Sequence, residues 1–282
     1  MQMASILTRW CCTLILAVWA LPAAAEQLTL FVIGDTGDCD TGGAGKVSAA
    51  LRAQPDWQSG WLIEVGDLAY PVATRERLLE CHEPHFSMFS RRLAAPGNHD
   101  WYDPGARGFF SLFPDPVPRA VDLDGRWRLW LLDSNLRGDA WNMQVQWLDD
   151  AVKQAAGRCV IAAWHHPRWS SSLRGGSSFV APLWERTAGV AVLSLHGHDH
   201  HYEAMSPLDK AGRPADGGTR SFIVGNGGAK LYPVMTGAWP SKAVANRWGF
   251  LRIDIQGDRY DWQALDVDGE RLDAGSGQCN SA

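Results

Sequence analysis

The chain has 282 residues, enough for one large domain or two small ones with a sizeable core. Apolar residues make up 46% and charged residues 20%, a globular balance that excludes disordered and fibrous classes. A formal net charge of -5 argues against a chain that grips nucleic acid by bulk positive charge.

The first thirty residues set the expected compartment. Arg9 is the one charge before a short apolar run at 10–21, and Ala23, Ala24 and Ala25 follow it. A basic start, a short apolar run and a small-residue site describe a secretory leader cut after Ala25. The run is shorter than the roughly 20 apolar residues of a membrane span, so no stable anchor is expected. Cys11 and Cys12 leave with this leader, and 26–282 is expected as the mature domain, secreted or periplasmic. Cys39, Cys81, Cys159 and Cys279 remain, an even number that suggests two disulfides in any of three pairings.

Leu28–Ile33 is a continuous apolar run, as in a strand buried on both faces. Residues 61–65, 127–132, 160–163 and 190–195 read the same way. The clearest helix is expected at 141–156, where Trp147, Leu148, Ala151, Val152 and Ala155 line one face. Residues 219–224, 248–255 and 259–267 read as strands, the last two joined at Gln256-Gly257-Asp258. Residues 114–118 and 206–218 read as loops, and the last ten residues as a loose tail unless Cys279 ties them down. No repeat or linker divides the chain, so one α/β domain is expected.

Polar signatures follow the strands. They are Gly34-Asp35-Thr36-Gly37, Gly66-Asp67-Leu68-Ala69-Tyr70, Pro96-Gly97-Asn98-His99-Asp100, Trp164-His165-His166-Pro167 and Gly197-His198-Asp199-His200. Carboxylates and imidazoles just past strand ends converge at the carboxyl edge of a sheet, where open α/β folds bind ligands. All nine histidines lie between 82 and 201. Each signature alone has a bland reading, as a turn, a capped loop or a packed histidine. Five of them in order, each behind an apolar strand, do not arise by chance.

This order resembles the calcineurin-like metallophosphoesterases, and Tyr70, three residues after Asp67, resembles the purple acid phosphatase branch. The resemblance runs from about 28 to about 230, including Phe222-Ile223-Val224-Gly225-Asn226-Gly227-Gly228. It implies an α/β fold of four layers, a β-sandwich flanked by helices, with a dinuclear metal site on strand-end loops. It implies the short single-domain form. Carried over by position, it implies an iron(III) site at Asp35, Asp67, Tyr70 and His200. A divalent site of zinc, iron(II) or manganese follows at Asp67, Asn98, His165 and His198, with Asp67 bridging. The donor chemistry agrees, since phenolate and carboxylate oxygens suit a trivalent ion and imidazoles a divalent one. The implied reaction is hydrolysis of phosphate monoesters by direct attack of a metal-bound hydroxide, with an acidic optimum.

The His-x-Pro pattern selects His165 over His166 as the ligand, which leaves His166 for substrate or for supporting hydrogen bonds. His99 resembles the family histidine that contacts phosphate and protonates the leaving group. With Asn98 and Arg168 it completes the expected substrate contacts. Where the family usually has an asparagine and an arginine, this chain has His201 and Ala204, beside Glu203. His82, His85 and His196 read as ordinary packing or surface residues. Cysteines at 39 and 81 match positions in similar bacterial members, and their pairing would brace the first two metal loops. Cys159 begins the strand leading to His165, and Cys279 is expected to pair with it and pin the tail.

Other signals fail. Gly42-Gly43-Ala44-Gly45-Lys46 lacks the first glycine and the hydroxyl residue of a phosphate-binding loop, having Asp40 and Val47 there. No nucleophile-elbow motif is present. Trp101, Tyr102, Trp164 and Trp169 flank the metal motifs, as candidate pocket walls or as packing. A small phosphorylated substrate is the expected partner. The competing readings are a phosphodiesterase of the same superfamily, acting on nucleotides or lipid head groups, and a non-catalytic metal- or phosphate-binding module. Arg107, Arg168 and Arg174 lie in the loops that separate monoester from diester preference.

Overall fold

The computed structural model describes residues 27–173, 175–235 and 239–279. The leader expected at 1–25, with its cleavage site, and Arg174 lie outside the described residues.

The run 28–33 shows why the chain layers as it does. In β1 (Leu28–Ile33), Leu30 and Val32 point to one side and Phe31 and Ile33 to the other, all fully buried. A strand apolar on both faces needs a second sheet on one side and helices on the other. Thirteen strands among the described residues supply this in two sheets.

The first sheet contains β1, β2 (Trp61–Glu64), β3 (Arg92–Ala94), β11 (Gly249–Gln256), β12 (Arg259–Asp266) and β13 (Arg271–Gln278). Its order is β13-β12-β11-β1-β2-β3. The second contains β4 (Arg119–Asp122), β5 (Trp127–Leu131), β6 (Cys159–Ala163), β7 (Ala191–His196), β8 (Tyr202–Met205), β9 (Arg220–Val224) and β10 (Ser241–Ala245). Its order is β10-β8-β9-β7-β6-β5-β4. Between the sheets, Leu30, Val32 and Ile63 meet Leu129, Ile161, Leu193 and Phe222 in one core.

Helices cover both outer faces. Val47 and Leu51 of α1 (Gly43–Arg52) pack on Phe31 and Leu62. α2 (Arg75–Cys81), α3 (Glu83–Phe86), α4 (Asn98–Trp101) and α5 (Arg107–Leu112) follow β2 and β3. α6 (Gly138–Lys153) and α7 (Ala181–Thr187) bury Leu148, Leu183 and Trp184 against Trp130 and Val160. The architecture is the expected four-layer α/β sandwich. The glycine run at 42–45 opens α1 instead of holding phosphate: Gly43 packs so closely that a Cβ would lie 2.2 Å from the Gly228 carbonyl oxygen.

Two expectations sharpen. The helix read at 141–156 spans Gly138–Lys153. Gly138 turns the chain into it at φ 57°, and Ala155 is buried just beyond its end. The tail, expected to be loose unless Cys279 tied it down, is tied by that cysteine and forms strand β13, paired with β12 from Arg259↔Gln278 to Leu265↔Arg271. Disulfides join Cys159 to Cys279, across the sandwich, and Cys39 to Cys81, between the loop after β1 and the end of α2. No helix among the described residues is long and apolar enough to cross a membrane.

Candidate metal centre

β1, β2 and β3 run parallel, as do β5, β6, β7 and β9, so their carboxyl ends share one edge. Past the end of β1 the pairing with β2 continues through the loops. The Asp35 amide donates to Gly66 O at 3.0 Å, Thr36 to Asp67 O at 3.1 Å, and Tyr70 to Gly37 O at 3.1 Å. Asp35, Asp67 and His198 hold left-handed backbones, with φ of 57°, 54° and 71°. Non-glycine residues are uncommon there, and such strain clusters where function requires it.

The turn at each of these residues aims its side chain at one point. The Tyr70 hydroxyl lies 2.9 Å from Asp35 Oδ1, 3.2 Å from Asp67 Oδ2 and 3.0 Å from His200 Nε2. His200 Nε2 is 3.3 Å from Asp35 Oδ1, and His200 Nδ1 bonds to the Lys230 carbonyl at 2.6 Å. On the other side, His165 Nε2 is 3.2 Å from Asp67 Oδ2 and His198 Nδ1 is 3.0 Å from Asn98 Oδ1. Asp67 Oδ2 thus stands between both groups. All seven residues expected as metal ligands come together.

Their hydrogen bonds show which atoms are reserved. His165 gives Nδ1 to the Val65 carbonyl at 2.7 Å, while its buried Nε2 has no hydrogen-bond partner. Its approach to Asp67 is out of line for a hydrogen bond. A histidine held by a backbone carbonyl at one nitrogen, with the other nitrogen orphaned, is oriented as a metal ligand is. Donor atoms of Asp35, Asp67 and His165 lie within 4.8 Å of one another, as do those of His165, His166 and His198. The residues present therefore fit two cations.

The electrostatics agree. Burial alone would raise the Asp67 carboxyl, but the His165 imidazole and then His99 hold it well below the usual carboxylate range. Burial opposes charge on His165, yet Asp67 and Asp35 push it up to about 10. Burial, then Asp35 and Asp67, push the Tyr70 phenol well above its ordinary value. A phenol so placed gives up its proton only to a strong cation.

The sequence model of the calcineurin-like phosphoesterase family matches residues 28–202, more than half of the chain. The chain belongs to this family. The fold is also that of a purple acid phosphatase, PPD1, from yellow lupin (Lupinus luteus) seeds. That likeness has a TM-score of 0.66 and 16% identity, over 91% of this chain and 54% of the lupin chain. The present chain spans about half the length of that protein. GAP50, described as the anchor in the inner membrane complex of Plasmodium, aligns with a TM-score of 0.67 and 14% identity. That match covers 90% of this chain and 89% of GAP50. PhoD aligns with a TM-score of 0.58 and 11% identity, over 92% of this chain and 70% of its own. No curated protein matches the sequence.

Around this phosphoesterase centre the other expected residues divide. His99 stays beside it: its amide donates to Asp67 Oδ1 at 2.7 Å, and its Nε2 lies 4.0 Å from Asp67 Oδ2. His99 Nδ1 bonds to the Pro71 carbonyl at 2.6 Å, so that nitrogen carries a proton. His166 is also there, its ring 4.3 Å from His198, and burial keeps it neutral with a pKa of about 2. Ser134 Oγ accepts from the His166 amide and bonds to its Nδ1 at 2.8 Å. Arg168 is not brought in: its guanidinium lies over Trp169, 3.8 Å from the ring centroid. Arg107 is largely exposed and pairs with Asp103. Trp164 and Trp169 are buried packing residues, whereas Tyr102 stands open beside His99.

Sequence reading missed Asp100 as a working residue. Its carboxylate accepts from the amides of Asp67, Leu68 and Gly97 at 2.9, 3.1 and 2.7 Å, tying two metal loops together. Its place in the Gly-Asn-His-Asp signature was the available signal. Glu203 has a comparable task, accepting from Ser171 N and Oγ, from Ser241 and from His201 Nε2.

Proposed function

We propose that the chain is an exported dinuclear-metal phosphatase that hydrolyses phosphate monoesters, of the purple acid phosphatase type. The observation that carries this is the phenol of Tyr70 within 3.2 Å of Asp35, Asp67 and His200 at once. Asp35, Asp67, Tyr70 and His200 would hold iron(III), and Asp67, Asn98, His165 and His198 a divalent ion of zinc, iron or manganese. When bound, such a pair supplies an acidified water and neutralises the charge of a phosphoryl group.

The protein's own groups do the rest. Asp100 and Thr36 hold the metal loops in register, so that the ligands keep their geometry without substrate. His99 presents Nε2 toward Asp67 on the open side, where it can contact phosphate and give a proton to the leaving oxygen. His166, kept neutral by burial and oriented by Ser134, offers a hydrogen-bond donor beside the divalent subsite. No side chain is placed as a nucleophile in this scheme, so no phospho-enzyme is expected.

Metal analysis with a visible spectrum tests the assignment. Iron should be present and the protein coloured by a tyrosinate-to-iron band, which Tyr70→Phe should bleach. A colourless, fully active enzyme holding only zinc or manganese would sink the iron assignment and leave the dinuclear one. Comparing p-nitrophenyl phosphate with bis(p-nitrophenyl) phosphate tests the substrate class; preference for the diester would replace this reading with a phosphodiesterase. Turnover that needs added metal excludes a purely binding role. Export with cleavage after Ala25 is checked by the mass of the secreted amino terminus.

A further inference from the structure

Several exposed apolar side chains stand near the mouth of the candidate metal centre. Among the described residues the exposed large apolar side chains are Leu79, Tyr102, Met143, Leu173, Phe179 and Met235. Tyr102, Leu173, Phe179 and Met235 all stand on the loops around the metal ligands. Tyr102 lies against His99, with ring centroids 4.7 Å apart. Phe179 shares a cavity of about 320 Å³ with His166 and His198. Leu173 shares a second cavity, of about 200 Å³, with Tyr232 and Pro233. The Met235 amide donates to Ser171 O at 2.7 Å, and Val234 bridges antiparallel to Ser172, a register that sets Met235 opposite Ser171 and Leu173 opposite Pro233, on one face of the paired loops.

These cavities belong to the site. Asp199, between the ligands His198 and His200, borders both of them. Tyr232 stacks on His200 with centroids 3.9 Å apart and planes 9° apart. A phosphoryl group over the metal ligands would therefore direct its organic substituent into one of two adjoining cavities. The smaller is walled mainly by Leu173, Pro233 and the Tyr232 ring. The carboxylate oxygens of Asp199 are buried, so they present no exposed acceptor to a sugar hydroxyl in either cavity. Exposed apolar side chains gathered at a site are covered when an apolar ligand binds.

We propose that the preferred substrates are phosphate monoesters whose alcohol carries an apolar chain, which lies between Leu173, Tyr232 and Pro233. This rests on the monoesterase reading above and adds the leaving group to it. Each methylene fully covered would raise kcat/KM by up to about fourfold, and an open cavity delivers part of that.

The test measures kcat/KM of the metal-loaded full chain on ethyl, butyl and hexyl phosphate below micellar concentrations, and on glucose 6-phosphate. The hexyl-to-ethyl ratio should reach about tenfold or more, with glucose 6-phosphate no better than ethyl phosphate. In a Leu173→Ser/Met235→Ser double variant, whose altered residues are exposed and do not hold the core, the ratio should fall toward about twofold. A flat series, a preference for glucose 6-phosphate, or a ratio that survives the double variant overturns this inference alone. Failure on every monoester while bis(p-nitrophenyl) phosphate is cleaved overturns the monoesterase reading, and this one with it.

Discussion

A methyl group at Gly97 would stand 2.2 Å from Asp67 Oδ1 and 2.4 Å from the Asp67 amide. Those atoms cannot move without shifting the one carboxylate shared by both ligand groups. Gly97→Ala should therefore keep its secondary structure by circular dichroism, lose metal in a per-chain metal analysis, and lose activity by about 100-fold or more. Asp67 and Asp35 themselves were legible from their places after strands. Asp100 was not, because its work is done on amides of Asp67 and Leu68, more than thirty residues away in sequence. Arg168 shows the opposite error. Its position beside the His-x-Pro motif suggested substrate, but the Trp169 ring beside it is a nearer and larger surface for its guanidinium.

Beneath the metal loops, β2 and β3 are cross-braced by charge. Glu64 is fully buried, with Arg92 Nε 2.9 Å and His82 Nε2 2.8 Å from its carboxylate. His82 Nδ1 reaches Thr36 Oγ1 at 2.9 Å, linking this pair to the loop of Asp35. Read from sequence as packing, His82 is part of that brace. Burial alone would raise the Glu64 carboxyl, but Arg92 and then His82 pull it from 4.5 down to about 2. A depressed carboxyl stabilises the fold above its unfolded value, and that stability is lost as pH falls from 4.5 toward about 2. Glu64→Gln should thus cost roughly 3 kcal/mol near pH 7. In urea titrations that gap should narrow steadily below pH 4.5. A gap independent of pH would show that the carboxylate charge is not what braces the strands.

The two disulfides act on different parts of the molecule. Cys159–Cys279 closes a separation of 120 residues and ties the last strand of one sheet to a central strand of the other. Cys39–Cys81 closes 42 residues and ties the Asp35 loop to α2. Loop-closure entropy sets ceilings of about 5 and about 4 kcal/mol for the two. Replacing Cys159 and Cys279 by alanine should give the larger loss in denaturant unfolding. Replacing Cys39 and Cys81 should give the larger loss of zinc affinity in chelator competition. Equal zinc affinity in both variants would mean that the Cys39–Cys81 bond does not stiffen the metal loops.

How much was readable follows from how locally each feature is encoded. The strands of both sheets that lie between helices and core, such as Leu28–Ile33 and Cys159–Ala163, carry continuous apolar runs. They announce themselves because both faces are buried. Asp35, Asp67, His165 and His198 were readable as candidate ligands for the same reason, since each lies one to three residues past such a strand, whereas Asn98 follows β3, Arg92–Ala94, which has no apolar run. The edge strand β13, Arg271–Gln278, has no such run, and all eight of its residues are exposed or half-buried. It exists because β12 offers it a ladder and Cys279 is anchored to Cys159, and neither is a property of those eight residues. The cavities beside His198 and His200 arise in the same way. Leu173 is far in the chain from Tyr232 and Pro233, and they become one surface only when the loops after β6 and β9 pair at Ser172 and Val234. Amino-acid order thus settled the layers and the family, and pointed to the strand-end carboxylates and imidazoles. The tertiary structure decided which groups hold those side chains in place and which surfaces adjoin them, because both depend on contacts between segments that carry no local signal.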